Sequence, residues 1–322
     1  DSLPVRHASP RAALSTSSCY PGEATSAETP IMTIGVGIAL AFVAMLGWGI
    51  GDFMIQKETR KLGDWETLFL LTAFGTLILL PFTYKSLVSL LFGAVGNIAI
   101  LTASGVVLLV AALLNFEAFK RGKLSVLEPL LSLEIVAASL LAYFALGDRI
   151  SWFQVAIIAV LVVCLFLVSF REKHLHGRIF MEKGVLIFAI GAFLMGFADF
   201  LLGWGARVTD PITAIFFVNL VIAILTGIFV VARGGIPRMM KDVSLNVRSL
   251  LIMCISDNVA WLAYAVAMSL VPIAIATGLS ESSIIVAVVL GLLVGKEKLQ
   301  RHQKIGLIGA LVCTIALAVT TV

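Results

Sequence analysis

The chain has 322 residues, of which 60% are hydrophobic and only 13% charged, with a mean hydropathy of +1.07. A surface that faces water needs many more charges, so a soluble globular protein is excluded and most of the surface is expected to face lipid. The formal net charge of +4 then bears on membrane topology, and no nucleic-acid partner is expected. The four cysteines, Cys19, Cys164, Cys254 and Cys313, form no CxxC pair. Neither a disulfide framework nor a zinc site is expected, and the three in apolar runs read as buried thiols. No metal and no cofactor are expected.

Residues 1–31 are rich in Ser, Ala and Pro and carry Arg6, Arg11, Glu23 and Glu28. They lack an apolar h-region, so they read as a disordered polar leader and not as a secretory signal. From Met32 the chain becomes a series of apolar runs, at about 32–56, 65–83, 95–118, 124–146, 151–170, 184–206, 211–232, 249–270, 273–295 and 305–322. Each approaches the roughly 20 helical residues that cross a hydrocarbon core of about 30 Å. Strands would need alternation of polar and apolar residues and a closed barrel, and these runs do not alternate. The predicted fold class is an all-α membrane protein with ten transmembrane helices. The longest connections lie near 171–183, which is charged (REKHLHGR over Arg171–Arg178), and near 233–248.

The two halves repeat. Gly49-Ile-Gly-Asp52-Phe53 in span 1 matches Gly196-Phe-Ala-Asp199-Phe200 in span 6, an offset of 147. The same offset pairs Gly37 with Gly184, Arg60 with Arg207, Ala118 with Ala265 and Glu134 with Glu281. Gly147 matches Gly295 one residue further out. The copies are 32–170 and 184–322, joined by the linker 171–183. Each holds five spans, an odd number, so they lie in opposite orientations across the bilayer, as an inverted repeat.

The basic residues give a sidedness. Of the 23 Lys and Arg, eighteen lie in the connections after spans 1, 3, 5, 7 and 9. The remaining five are Arg6, Arg11, Lys85, Arg149 and Arg207, on the other face. The positive-inside rule then puts the odd-numbered connections in the cytoplasm and both termini outside.

The two copies close with LAYFALGDRISWFQVAIIAVLVV at 141–163 and LGLLVGKEKLQRHQKIGLIGALV at 290–312. The connections between spans 3 and 4 and between spans 8 and 9 read AFKRGKLS at 118–125 and AVAMSLVPIA at 265–274. In these features the chain resembles the drug/metabolite transporter superfamily, EamA type, whose copies typically end in Gly-Glu, a short polar stretch and a Gly-containing last helix. Gly295-Lys-Glu297 through Gly306 fits that pattern. The first copy departs from it, with Asp148 for Glu and Ile157 where a Gly is usual. The resemblance covers about 290 residues and identifies the superfamily without the substrate. It implies a basket in which helices 1, 3, 4 and 6, 8, 9 line a central cavity and helices 2, 5, 7 and 10 brace it. It also implies alternating access, although familiar members usually keep both termini in the cytoplasm.

Every charge inside the spans is acidic: Asp52, Glu134, Asp199, Asp257 and Glu281, with Glu117 and Glu128 nearer helix ends. A carboxylate facing lipid at a helix centre costs roughly 2.5–3.5 kcal/mol. These acids are therefore expected to face the protein interior or water, where they suit proton or cation coupling. Glu134, Glu281, Asp52 and Asp199 recur between copies and are the coupling candidates. The plain alternative is that they cap or cross-link helices, with Asp52 near Lys57 and Asp199 near Arg207 as structural pairs. Asp257 has no acidic mate, and Trp261 and Tyr264 follow it on one helical face. An acid above two aromatics suits an amine or zwitterion. Asp257, Trp261, Tyr264, Trp48 and Glu117, the mate of Tyr264, are the substrate-binding candidates. Packing or interfacial placement of the aromatics is the plain alternative. The absence of Lys and Arg inside the spans disfavours phosphorylated substrates. Gly291, Gly295, Gly306 and Gly309 read as helix-packing positions.

Two other classes stay open. Gly49-Ile-Gly51-Asp52 matches the GxGD motif of intramembrane aspartyl proteases, with Asp199 or Asp257 as the second carboxylate. A structural membrane protein would neutralise its acids in pairs and need no hydrated cavity. The favoured expectation is a non-enzymatic, multi-pass transporter of the plasma (inner) membrane. Its partners would be a small neutral, zwitterionic or cationic metabolite and the bilayer, and a homodimer is compatible with the sequence.

Overall fold

The computed structural model describes residues 31–121, 128–169, 183–295 and 299–322. The expected leader and linker lie outside these residues, apart from Ile31 and Lys183, which open helices. In chain order the helices are α1 (Ile31–Leu62), α2 (Asp64–Leu91), α3 (Val95–Arg121), α4 (Ser132–Leu141), α5 (Trp152–Ser169), α6 (Lys183–Val208), α7 (Pro211–Ala232) and α8 (Ile236–Leu270). They continue with α9a (Ile273–Ser280), α9b (Ser283–Gly295) and α10 (Arg301–Thr321). Among the described residues no strand occurs; nine apolar segments are long enough to cross a membrane, and Ser132–Leu146 is a shorter tenth. Within lipid a helix satisfies each backbone N–H and C=O in its own segment, which is why long apolar runs resolve this way.

Local chemistry sets the helix ends. Gly63, at φ 106, is the whole joint between α1 and α2, so the polar break expected there shrinks to one left-handed residue that favours glycine. Asp210 caps α7 by accepting from the Thr213 backbone N–H at 3.0 Å, with Pro211 in the first turn. Gln300 and Gln303 form a reciprocal capping box at α10.

Three expectations need correction. The loop expected near 233–248 is mostly helix, because α8 starts at Ile236 and departs from helical geometry only at Asn246 (φ −127, ψ 23). Its charges suggested a loop, yet they sit on the outer face of a helix that buries Met239. Span 4, expected as one helix over 124–146, is a 3-10 turn (Glu128–Leu131), ten residues of α4 and a π turn (Ala142–Leu146); residues 122–127 lie outside the described residues. Span 9 breaks in mid-course at Glu281–Ser282. Ser282 Oγ donates to the Gly278 carbonyl at 2.9 Å and shares a 2.9 Å bond with Thr314 Oγ1. An interrupted helix is tolerated at membrane depth where buried partners satisfy the freed groups.

The packing has a two-fold pattern. α1 lies on α8 and α3 on α6, α9 on α1 and α4 on α6, while α2 pairs with α7 and α5 with α10. Exchanging the repeats converts the first four contacts into one another and maps the last two onto themselves. With five spans per copy, this is an inverted repeat. The repeat mates Gly49 and Gly196 sit at equivalent crossings. A Cβ on Gly49 would meet Val286 at 2.5 Å, and one on Gly196 would collide with the Glu134 carbonyl oxygen. A Cβ on Gly306 would likewise come within 2.8 Å of the Cys164 carbonyl oxygen on α5, so Gly306 sits at a close helix contact. Cys164, Cys254 and Cys313 are free and buried.

Candidate functional site

α1, α4, α6, α8 and α9 bring the five intramembrane acids to the centre. On α1 the exposed residues Val36, Val43, Leu46 and Ile50 recur at helical spacing and mark the lipid face. Asp52 lies about 180° around the helix from Val43 at 100° per residue, on the side turned away from lipid. It is exposed there. Its repeat mate Asp199, on α6, is 1% exposed, and neither carboxylate oxygen has a hydrogen-bond partner. Glu134, in the first turn of α4, is also buried, whereas Glu281, at the break in span 9, is half-buried. Glu134, Asp199 and Glu281 are close enough for their charges to interact, and Asp52 acts on Glu134, Glu281 and Asp257. Glu134 and Tyr264 lie beside Asp199 without reaching hydrogen-bond geometry.

The predicted aromatic group assembles next to these acids. Trp48 meets Trp261 at 5.1 Å and Tyr264 at 5.0 Å, both edge to face, and Trp261 and Tyr264 are 6.1 Å apart. At such distances the rings pack on one another as a wall. Tyr264 is fully buried and shares a 2.6 Å hydrogen bond with Thr277 Oγ1. Asp257 and Trp261 are half-buried and adjacent. Glu117 is half-buried on α3. The side chains of Lys57 and Glu128 lie outside the described residues.

The alternative that Asp199 is a structural partner of Arg207 is not what the structure shows: Arg207 pairs with Asp148. The guanidinium makes a two-pronged contact, Nη1 to Oδ1 at 2.6 Å and Nη2 to Oδ2 at 3.0 Å. It also donates to the Met268 and Val271 carbonyls at 2.8 and 3.1 Å. Asp148 Oδ2 in turn accepts from the Ile273 backbone N–H at 2.9 Å, capping α9a. The connections after spans 4, 6 and 8 are thereby bolted together on one face. Asp199 lies two helical turns before Arg207, beneath this bolt, whereas Asp52 lies in the half of α1 nearest the opposite face. The signal that could have found the pair was the scarcity of basic residues on that face.

Two other polar groups escaped sequence reasoning. Asn219 Nδ2 donates to Asn258 Oδ1 at 3.1 Å, and Asn258 Nδ2 donates to the Leu71 and Cys254 carbonyls at 3.0 and 2.9 Å, tying α7, α8 and α2. The buried Glu58 holds Lys61 and Ser249 at the other face.

The EamA-like transporter family matches residues 35–170 and 182–319, one match for each half. The chain belongs to the EamA-like transporter family. This EamA-like protein is thus a multi-pass membrane protein of the drug/metabolite transporter superfamily, as its sequence resemblance implied. A solved crystal structure described only as that of a protein superposes with a TM-score of 0.68 at 14% identity, covering 88% of this chain and 94% of its own. That likeness concerns the fold alone. No curated protein matched the chain.

Proposed function

We propose that this EamA-like protein is a secondary transporter of the plasma (inner) membrane. It carries a small neutral, zwitterionic or cationic metabolite, amine-like or amino-acid-like, by alternating access with proton coupling. The observation that carries this reading is the unequal environment of the repeat mates: Asp52 is exposed on the side of α1 turned away from lipid, while Asp199 is buried with both carboxylate oxygens unpartnered. A buried carboxyl without partners is relieved by a proton or by a cationic group. Exchange of the two repeat conformations would open Asp199 and close Asp52, which is the asymmetry an inverted-repeat transporter uses. Asp257, Trp261, Trp48, Tyr264 and Glu117 are assigned to substrate contact, and Glu134, Glu281, Asp52 and Asp199 to coupling.

The test is uptake into proteoliposomes of a panel of amines, amino acids, neutral sugars and phosphorylated sugars, with and without a pH gradient. Amines or amino acids should give a specific signal that Asp257→Asn abolishes. Glu281→Gln should remove the response to the pH gradient in protein that remains folded; full proton-driven uptake in that variant would take Glu281 out of the mechanism. Silence across the panel from folded protein, together with cleavage of a transmembrane peptide lost in Asp52→Asn, would favour the GxGD protease instead.

A further inference from the structure

α8 is 35 residues long, about 52 Å of helix at 1.5 Å per residue, against a hydrocarbon core of about 30 Å. The stretch after Asn246 is by itself long enough to cross, so the first turns lie beyond the core. There Met239 is buried and Val243 packs inward, while Arg238, Lys241 and Arg248 are exposed. Asp242 is the one acid in this stretch, half-buried on its inner flank. The same outer surface also exposes Met240 (58%), Leu245 (71%) and Val247 (47%). The charges cannot enter hydrocarbon and the apolar side chains are not satisfied by water. A helix carrying both belongs at the headgroup boundary, where stems and apolar side chains sink and cationic tips meet phosphate.

We propose that residues 236–248 form an interfacial platform for anionic phospholipid headgroups, and that the charge of the surrounding lipid is transmitted through it to α1. Charge complementarity selects the partner, because three exposed cations with a single half-buried acid fit an anionic surface. The link to α1 lies at the kink. Asn246 Nδ2 donates to the Asp242 carbonyl at 3.1 Å, and its Oδ1 accepts from Lys61 Nζ at 3.4 Å. Glu58, whose side chain is 0% exposed, accepts from Lys61 Nζ at 3.2 Å and from Ser249 Oγ at 2.8 Å. Both residues belong to the end of α1, the helix that carries Trp48 and Asp52. This inference rests on membrane residence and not on the transport reading.

The experiment places the full chain in nanodiscs containing equal phosphatidylglycerol and phosphatidylcholine, and counts retained lipids by native mass spectrometry. The wild type should retain phosphatidylglycerol preferentially, and added salt should erode that preference. The K241Q/R248Q variant should lose about fivefold in preference per charge removed. The R301Q/K304Q variant, with the same charge loss at the connection after span 9, should keep its preference. Equal loss in both variants would show that general positive charge and not this helix recruits the lipid; no preference in the wild type, or none lost in K241Q/R248Q, would overturn the platform outright. Hydrogen exchange of Met54–Leu62 should slow in phosphatidylglycerol discs for the wild type alone. Unchanged exchange there would overturn the coupling to α1.

Discussion

Asp52 and Asp199 occupy the same position of the repeat yet meet different surroundings, one exposed and the other buried. Residue identity fixed what each can do, and neighbouring helices fixed what each does in this conformation. The glycines show the same dependence at finer grain. Gly196 lets the α4 backbone, and with it Glu134, come into contact with α6. Gly196→Val is expected to cost about 1–3 kcal/mol through overpacking and to lower the thermal midpoint of the purified protein. Gly35→Ala, where nothing lies within 4 Å of the new Cβ, is the neutral control. Equal melting of the two variants would show that the α4–α6 crossing tolerates a wider spacing.

At the scale of elements, the connection between α8 and α9a is held by charge-assisted bonds from Arg207 and Asp148. Such bonds to charged groups are worth roughly 1.5–3 kcal/mol each. Arg207→Gln leaves Asp148 with one backbone partner and should shift the population toward states open on that face by about tenfold for each 1.4 kcal/mol lost. In a background with its own cysteines replaced, Thr277→Cys reads this directly, since Thr277 is fully buried. A membrane-impermeant thiol reagent should label it faster when Arg207 is replaced, and a second substitution at Asp148 should add little because the two residues act as one unit. Unaltered labelling would mean that apolar packing holds this face shut. The breaks at Glu281–Ser282 and Asn246 belong to the same scale. The first interrupts an apolar span and the second separates the charged start of α8 from its span, and the Ser282 and Asn246 side chains hydrogen-bond backbone carbonyls at these points.

For the whole molecule, opposed five-helix halves predict a definite sidedness. Ser244 lies in the connection between spans 7 and 8, and Gly93 and Ala94 lie between spans 2 and 3; all three are exposed. With the basic connections in the cytoplasm, cysteine at Ala94 should react with an impermeant reagent in intact cells, and cysteine at Ser244 only after lysis. The reverse pattern would place both termini in the cytoplasm. It would also turn the face bolted by Arg207 and Asp148 inward and the exposed side of Asp52 outward.

The sequence by itself determined the all-helical membrane fold, the ten spans and the inverted repeat. These follow from run length and from the match between two copies of five spans, both of which are read along the chain without knowing which helix packs on which. It also picked out the five acids and the aromatic group that meet at the centre, because an acid in an apolar run is costly wherever it faces lipid. What it did not decide is which partner each polar group finds. Arg207 reaches Asp148 and not Asp199, Asn258 joins Asn219 to two backbone carbonyls, and Glu58 holds Ser249 across 191 positions. Those pairings depend on helix crossings set by side-chain interdigitation between segments far apart in the chain. Only the tertiary structure also decided that the repeat mates are unequal, Asp52 exposed and Asp199 buried, because each is surrounded by different helices.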